Sequence, residues 1–293
     1  MSALKKQIQR FVSQLGFCPQ RLPVSKKINF ISYVIGTIRY QRACHQWQRI
    51  DCPKLAGFRD IHSDRARCFI IGNGPSLNRL DLSLLEGEIT FAANAIYLLY
   101  DRIKWRPTYY AVSDPLVMED RHKDINALKD SIKFFTLERA NFAKRDNNTL
   151  FLRVRAPQNY PEFTKDISEV IYGNHTVSFV HMQLAYYMGF RKIYLIGFDH
   201  DYKIPEKPII EPNKYGTDRI LSDSEDSNHF DPTYFGKGYR WHVPQIKLIE
   251  MAYRKAKEEY EKDGRSIYNA TPGTKLDVFD KVDYASLFDT EVK

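Results

Sequence analysis

Long apolar runs are missing from this chain. No stretch of its 293 residues approaches the roughly 20 consecutive apolar side chains that cross a bilayer. The amino end lacks the basic, apolar, small-residue order of a secretory signal, so export is not expected. Cysteine is scarce. Cys18, Cys44, Cys52 and Cys68 lie far apart with no C-x-x-C pair, which argues against a zinc site or a dithiol motif and fits a reducing compartment. No repeat, low-complexity tract or nucleic-acid-binding module is present, so nucleic acid is not an expected partner. These absences together predict a cytoplasmic protein.

Hydrophobic residues make up 43% of the chain, enough for the core of one large domain or of a domain with an appendage. The net charge of +8 is unevenly placed. Residues 1–62 hold 11 Lys/Arg against 2 Asp/Glu, leaving 33 against 34 in the rest. This segment reads as helices broken at Pro19, Pro23 and Pro53, and the expected division is a basic helical extension over 1–62 and a main domain over 63–293. The apolar stretch Ile28 to Ile38, between Lys26-Lys27 and Arg39, has the composition of a helix lying on an anionic membrane surface. It equally suits a basic helix packed on the main domain or on a second copy of the chain.

Beyond residue 62 the pattern alternates. Cys68 to Ile71, Glu88 to Ala93, Thr108 to Val112, Ile132 to Phe135, Thr149 to Val154 and Ile193 to Phe198 read as short strands, with helical patterns in the gaps. That alternation predicts an α/β fold with a doubly wound, mostly parallel sheet. A helix is expected over Thr176 to Met188, ended by Gly189. A second, with Pro244 in its first turn, carries the apolar stripe Ile246, Ile249, Tyr253, Ala256 and Tyr260 and stops at Gly264. Residues 203–240, rich in Pro, Asp, Ser and Gly, read as a long loop able to cover a site. A strand at Ser266 to Tyr268 and a short helix near Val278 close the chain.

The first strand runs straight into Gly72-Asn73-Gly74-Pro75-Ser76. Two glycines there let the backbone approach a ligand and turn following N–H groups toward an anion, so a phosphate site is expected. The spacing is neither the dinucleotide fingerprint nor a Walker loop. Asn94, Asp114 and Asp199 also end strands, which in an open α/β sheet places them at one crevice; Asp114, followed by Pro115, equally reads as a helix cap. Among the histidines, His242 stands before the Pro244 helix, where a helix N-terminus disfavours imidazolium and leaves a ring able to accept a proton. His175 and His229 are weaker candidates. Arg240 and Trp241 are suited to binding a carboxylate and stacking on a sugar face, although a plain surface role for Arg240 fits as well.

The run Cys68-Phe-Ile-Ile-Gly-Asn-Gly-Pro-Ser-Leu77, then Phe91-Ala-Ala-Asn94, Ile193-Tyr-Leu-Ile-Gly-Phe-Asp199, and His242 before a helix, resembles bacterial sialyltransferases of glycosyltransferase family 42. It is also similar to a wider family that includes archaeal pterin pyrophosphokinase-like proteins and the central domain of flagellin glycosylation factors. The resemblance covers roughly residues 65–290 and implies a Rossmann-like, sialyltransferase-type domain with a lid near 203–240. It implies Gly72, Asn73, Gly74, Pro75, Ser76, Asn94, Gly197, Phe198 and Asp199 around the nucleotide of a CMP-activated donor, and His242 as the base of an inverting transfer. Asp114, His175, Thr176, Ser178, Tyr202, His229, Tyr239 and Arg240 would serve the donor sugar or its phosphate. The donor motif is altered to His175-Thr176-Val177-Ser178 and the family's tyrosines are not cleanly matched, Tyr202, Tyr234 and Tyr239 lying nearest. The sugar is therefore expected among acidic keto-sugars such as sialic acid or Kdo, moved to a surface glycan or glycolipid at the inner face of the membrane. No metal or other cofactor is required on this reading, because a monophosphate leaving group can be stabilised by hydrogen-bond donors. The rival expectations are ATP- and Mg-dependent pyrophosphoryl transfer to a pterin, drawing on Asp114, Asp199 and Asp201, and a non-catalytic nucleotide-binding scaffold in glycan assembly.

Overall fold

The computed structural model describes residues 40–173, 175–204, 209–211 and 219–288. The Ile28 to Ile38 stretch expected to meet a membrane or partner lies outside them. Eight parallel strands form one sheet in the order β11-β10-β6-β1-β2-β3-β4-β5. They are β1 (Arg67–Ile71), β2 (Thr90–Ala93), β3 (Tyr109–Val112), β4 (Ile132–Thr136), β5 (Thr149–Leu152), β6 (Lys192–Ile196), β10 (Ser266–Asn269) and β11 (Asp280–Lys281). The inner strands bury almost every residue, which is why they read as unbroken apolar runs rather than alternating ones. The Rossmann-like α/β architecture is thus as expected.

The chain builds outward from β1 to β5, returns through a helix, and places β6 on the other side of β1. The order therefore reverses between β1 and β6, and the crevice of an open α/β sheet lies at the carboxyl ends of such a pair.

Besides the helical residues 40–46, the described α-helices are α1 (Cys52–Ala56), α2 (Pro115–Ala127), α3 (Val177–Tyr187) and α4 (Ile246–Lys262). The gaps from β1 to β2 and from β2 to β3 hold 3-10 turns rather than the expected α-helices, since each crossover is short and broken by turn residues. Every residue of α3 from Phe179 to Tyr187 is buried, His181 and Gln183 included, so the helix is enclosed on all sides rather than along one stripe. Helix α4 keeps the amphipathic pattern, burying Ile249, Ala252, Tyr253, Ala256 and Tyr260, and the Tyr260 hydroxyl donates to the Met182 carbonyl at 2.6 Å.

Three expectations change. Residues 40–62 are packed on the sheet: Trp47 is buried and its Nε1 donates to the Phe151 carbonyl at 2.9 Å. Asp51, fully buried, receives both Arg145 nitrogens at 2.9 and 2.8 Å, so a boundary at residue 62 cuts through a packed layer. The region 203–240 is not all loop. Strands β7 (Ile209–Glu211), β8 (Arg219–Leu221) and β9 (Arg240–His242) form an antiparallel sheet whose alternation is too short to show as a period. Val278 lies in no helix; β11 and a 3-10 turn, Ala285–Leu287, follow instead.

Candidate functional site

The site begins where β1 and β6 end side by side. A Cβ on Gly72 would lie 2.4 Å from the Gly197 carbonyl oxygen, and one on Gly74 would lie 1.9 Å from Asp199 Oδ2. Gly197 itself has φ +72. The glycines are thus demanded by the close approach of two strand ends, where the sequence suggested a close approach to ligand. The loop's donors are engaged as well: Gly72 N–H donates to the Ile196 carbonyl and Gly74 N–H to the Gly197 carbonyl. Asp199 takes the place expected for an anion. Its carboxylate accepts from Ser76 N at 3.0 Å and Ser76 Oγ at 2.6 Å, at the start of the 3-10 turn Pro75–Arg79. Pro75 and Ser76 therefore shape the loop from behind rather than line the cleft.

Beside the loop is a small cavity of about 130 Å³ lined by Gly72, Asn73, Gly74, Asn94, Gly197, Phe198 and Asp199. Asn94 holds φ +54, a left-handed conformation that asparagine tolerates better than most residues. The side-chain oxygen of Asn73 is buried with no hydrogen-bond donor among the described residues, while the buried Tyr234 hydroxyl stands against the Asn94 side chain and the Ala95 backbone. Ser178 and Tyr202 join the same walls, as does Tyr253, whose phenol is raised by burial.

A second cavity of about 690 Å³ opens over the ends of β3, β4 and β5 and contains His242, Asp114, His175 and Trp241. Asn94, Thr176, Val177, Tyr202 and His229 line both cavities. Asp114 caps α2, accepting from Leu116 N at 2.7 Å and Val117 N at 3.3 Å. Thr176 caps α3 through Ser178 N at 3.3 Å. His175, at φ +65, sets its ring edge-on to Tyr160 with centroids 5.6 Å apart, and burial lowers its pKa. His242 is half-buried at the end of β9. Helix α4 begins only at Ile246, so neither His242 nor Pro244 lies in its first turn and the helix-terminus argument for a neutral ring does not apply.

Two expected ligand contacts are committed elsewhere. Arg240 pairs with Asp120 and, at 3.3 Å, with Glu119, tying β9 to α2. Tyr239 lies under the Arg121 guanidinium, 4.0 Å from ring centroid to carbon. Neither lines the two cavities.

Sequence reasoning missed Asp226. Its side chain is buried, and Oδ2 meets His229 Nδ1 at 2.7 Å and accepts from Phe235 N at 2.9 Å, while Oδ1 accepts from Asn228 N at 2.8 Å. Burial raises this carboxyl, but the His229 ring and the two N–H groups outweigh it and hold the pKa below its ordinary value. An acid three residues before a histidine inside a turn-rich segment is the signal that could have found it. Arg139 was missed too; it follows β4, lines the large cavity, and its buried Nε has no partner among the described residues.

A parallel sheet with two joined cavities at its switch point defines a Rossmann-like α/β protein with its working face at the strand carboxyl ends. The chain belongs to the MptE-like family, described as 6-hydroxymethylpterin diphosphokinase MptE-like, which matches residues 44–205. Among solved structures it is similar to the MAf glycosyltransferase from Magnetospirillum magneticum AMB-1, with a TM-score of 0.45 and 14% identity over 78% of this chain. The match spans 37% of that longer chain. No curated protein matches.

Proposed function

We propose that the chain is an inverting glycosyltransferase that moves an acidic keto-sugar, sialic acid, Kdo or a relative, from a CMP-activated donor to a glycan or glycolipid acceptor. One observation carries the reading: the small cavity with Asn73 and Asn94 and the large cavity with His242 share five wall residues, so a nucleotide in the first would present its sugar to the second. The unpaired side-chain oxygen of Asn73 suits a hydrogen-bond donor such as a ribose hydroxyl or a base amino group. His242 takes the acceptor hydroxyl proton as that oxygen attacks the anomeric carbon, and the nucleoside monophosphate leaves with the electrons of the broken carbon–oxygen bond. The acceptor occupies the large cavity, where Trp241 and Tyr160 offer flat faces to a sugar.

The family's description supports a second reading, ATP-dependent diphosphokinase action on a pterin. That chemistry needs acids gathered around Mg²⁺. Here Asp114 caps α2, Asp199 holds Ser76 and Asp201 pairs with Lys275 at 2.7 Å; among the described residues no three metal-ligating side chains converge. Since Mg²⁺ in phosphoryl transfer is held by one or two carboxylates together with substrate phosphates, the choice between the two readings falls to nucleotide preference.

Melting curves with CMP, UMP, GMP and ADP, each with and without Mg²⁺, test the choice. The largest upward shift is expected from CMP without metal; a shift with ADP plus Mg²⁺ alone would overturn the transferase reading. Hydrolysis of a CMP-activated sugar is expected to fall about 100-fold or more in His242→Ala with CMP binding retained. Equal hydrolysis in both proteins would remove His242 from the chemistry.

A further inference from the structure

His229 is the ring on which the two cavities turn. It lines both, and its half-buried imidazole is clamped on two sides. Nδ1 meets the buried Asp226 carboxylate at 2.7 Å, and the ring lies flush on Tyr234, centroids 3.9 Å apart and planes 2° from parallel. Phe235 closes a third side edge-on at 5.2 Å. Asp226 is in turn held by the Asn228 and Phe235 N–H groups, so the carboxylate cannot swing away without losing three bonds. Since an ionised carboxylate can only accept, Nδ1 carries a hydrogen, and Nε2 is left as the one ring atom able to meet a ligand. No described residue contributes a partner to it.

The segment is also anchored to the glycine loop. Phe230 N–H donates to the Asn73 carbonyl at 3.0 Å, and Asn78 Nδ2 donates to the Phe230 carbonyl at 2.8 Å. His229 is thus fixed relative to the β1 end and stands between the space for a nucleotide and the space holding His242. The loop's N–H groups at 72, 74 and 76 are spent on Ile196, Gly197 and Asp199, so the loop offers few backbone donors to a phosphate between the cavities and a donor from the His229 wall adds to them.

We propose that His229 is a catalytic residue that donates an Nε2–H to the phosphate leaving group of the donor, and that Asp226 is its positioning residue, its carboxylate accepting from Nδ1 and so fixing the plane in which Nε2 meets the phosphate. The assignment rests on the transferase reading above. As the anomeric carbon–oxygen bond breaks, the electron pair stays on the phosphate oxygen and the His229 hydrogen bond strengthens onto it; the acceptor proton goes to His242, and His229 keeps its own.

The test uses the full chain and compares binding of CMP, UMP, GMP and AMP with the corresponding nucleosides by calorimetry. His229→Asn keeps an amide N–H for Asp226 but has no atom where Nε2 stood; His229→Gln returns a neutral donor near that place. For the monophosphate that binds, wild type is expected to hold it roughly 10- to 100-fold more tightly than its nucleoside, the range of a charge-assisted hydrogen bond. His229→Asn should erase most of that preference while leaving nucleoside affinity close to wild type, and His229→Gln, which loses the same ring stacking, should restore part of it. For Asp226→Asn the same preference should shrink and become dependent on pH between 6 and 8, which a loss of packing alone would not produce. An unchanged monophosphate preference in a folded His229→Asn overturns this assignment alone. Binding of none of the four monophosphates overturns the donor reading and this one with it.

Discussion

Asp199 stabilises the tip of β1 with one carboxylate and two hydrogen bonds, to Ser76 N and Ser76 Oγ. Ser76 is fully buried, so Asp199→Ala leaves two polar groups without partners and is expected to lower unfolding free energy by about 2–4 kcal/mol, measured by urea titration. Asp199→Asn, which can still accept, should cost about half as much. At His181, burial pushes the pKa down to about 3. The unfolded ring titrates near its ordinary 6.5, so stability is complete above that value and declines as pH falls from 6.5 toward 3. The limiting slope is about 1.4 kcal/mol per pH unit. His181→Leu should flatten the unfolding free energy between pH 6.5 and 4.5; equal slopes in both proteins would show that the ring is protonated in the fold. Neither effect was legible from residue type alone. Asp199 was visible as a strand-end acid, but its partner lies 123 residues away, and which of two nearby groups occupies an anion position depends on packing.

Among the elements, strands read most clearly. The inner strands are buried on both faces, and continuous apolar runs bounded by turn residues mark such strands well. Helix α4 was equally plain because its outer face is charged, with Lys255 and Lys262 paired to Glu258 and Glu259. The three-residue strands β7, β8 and β9 were not legible, since so short a segment carries less than two periods of alternation. Besides its ladder to β8, β9 is tied to another element by charge: Arg240 to Asp120 and Glu119 on α2. Arg240→Gln is expected to loosen this attachment by roughly 1 kcal/mol, the upper range for partly exposed pairs. Amide exchange in Arg219–Leu221 and Arg240–His242 should quicken about fivefold while β1 and β6 remain protected; uniform acceleration would mean instead that the small sheet and the main sheet open together.

Across the whole molecule, the parallel order and its reversal at β1 and β6 place the glycine loop, Asn94 and Asp114 at joined cavities that His242 also lines; the first three were visible at strand ends, His242 only as a residue before a helix. The Asp226–His229 pair and Arg139 were not, because their significance comes from which wall they occupy. The packed layer formed by residues 40–62 was obscured by its basic composition; Trp47 and Asp51 carry the attachment, and charge counting does not weigh single anchors. A chain beginning at residue 63 should therefore melt at least 10 °C below the full chain, or fail to stay in solution, since burying one Trp and satisfying one ion pair together account for several kcal/mol. Identical melting curves would make the segment dispensable.

The stitching of Gly72 and Gly74 to Ile196 and Gly197 leaves the bottom of the crevice with no hinge. Adaptation to cargoes of different bulk then falls to the opposite bank, the stretch from Trp241 in β9 to Gln245. Attempts to re-target the protein should vary that bank and leave the seam between the two central strands untouched.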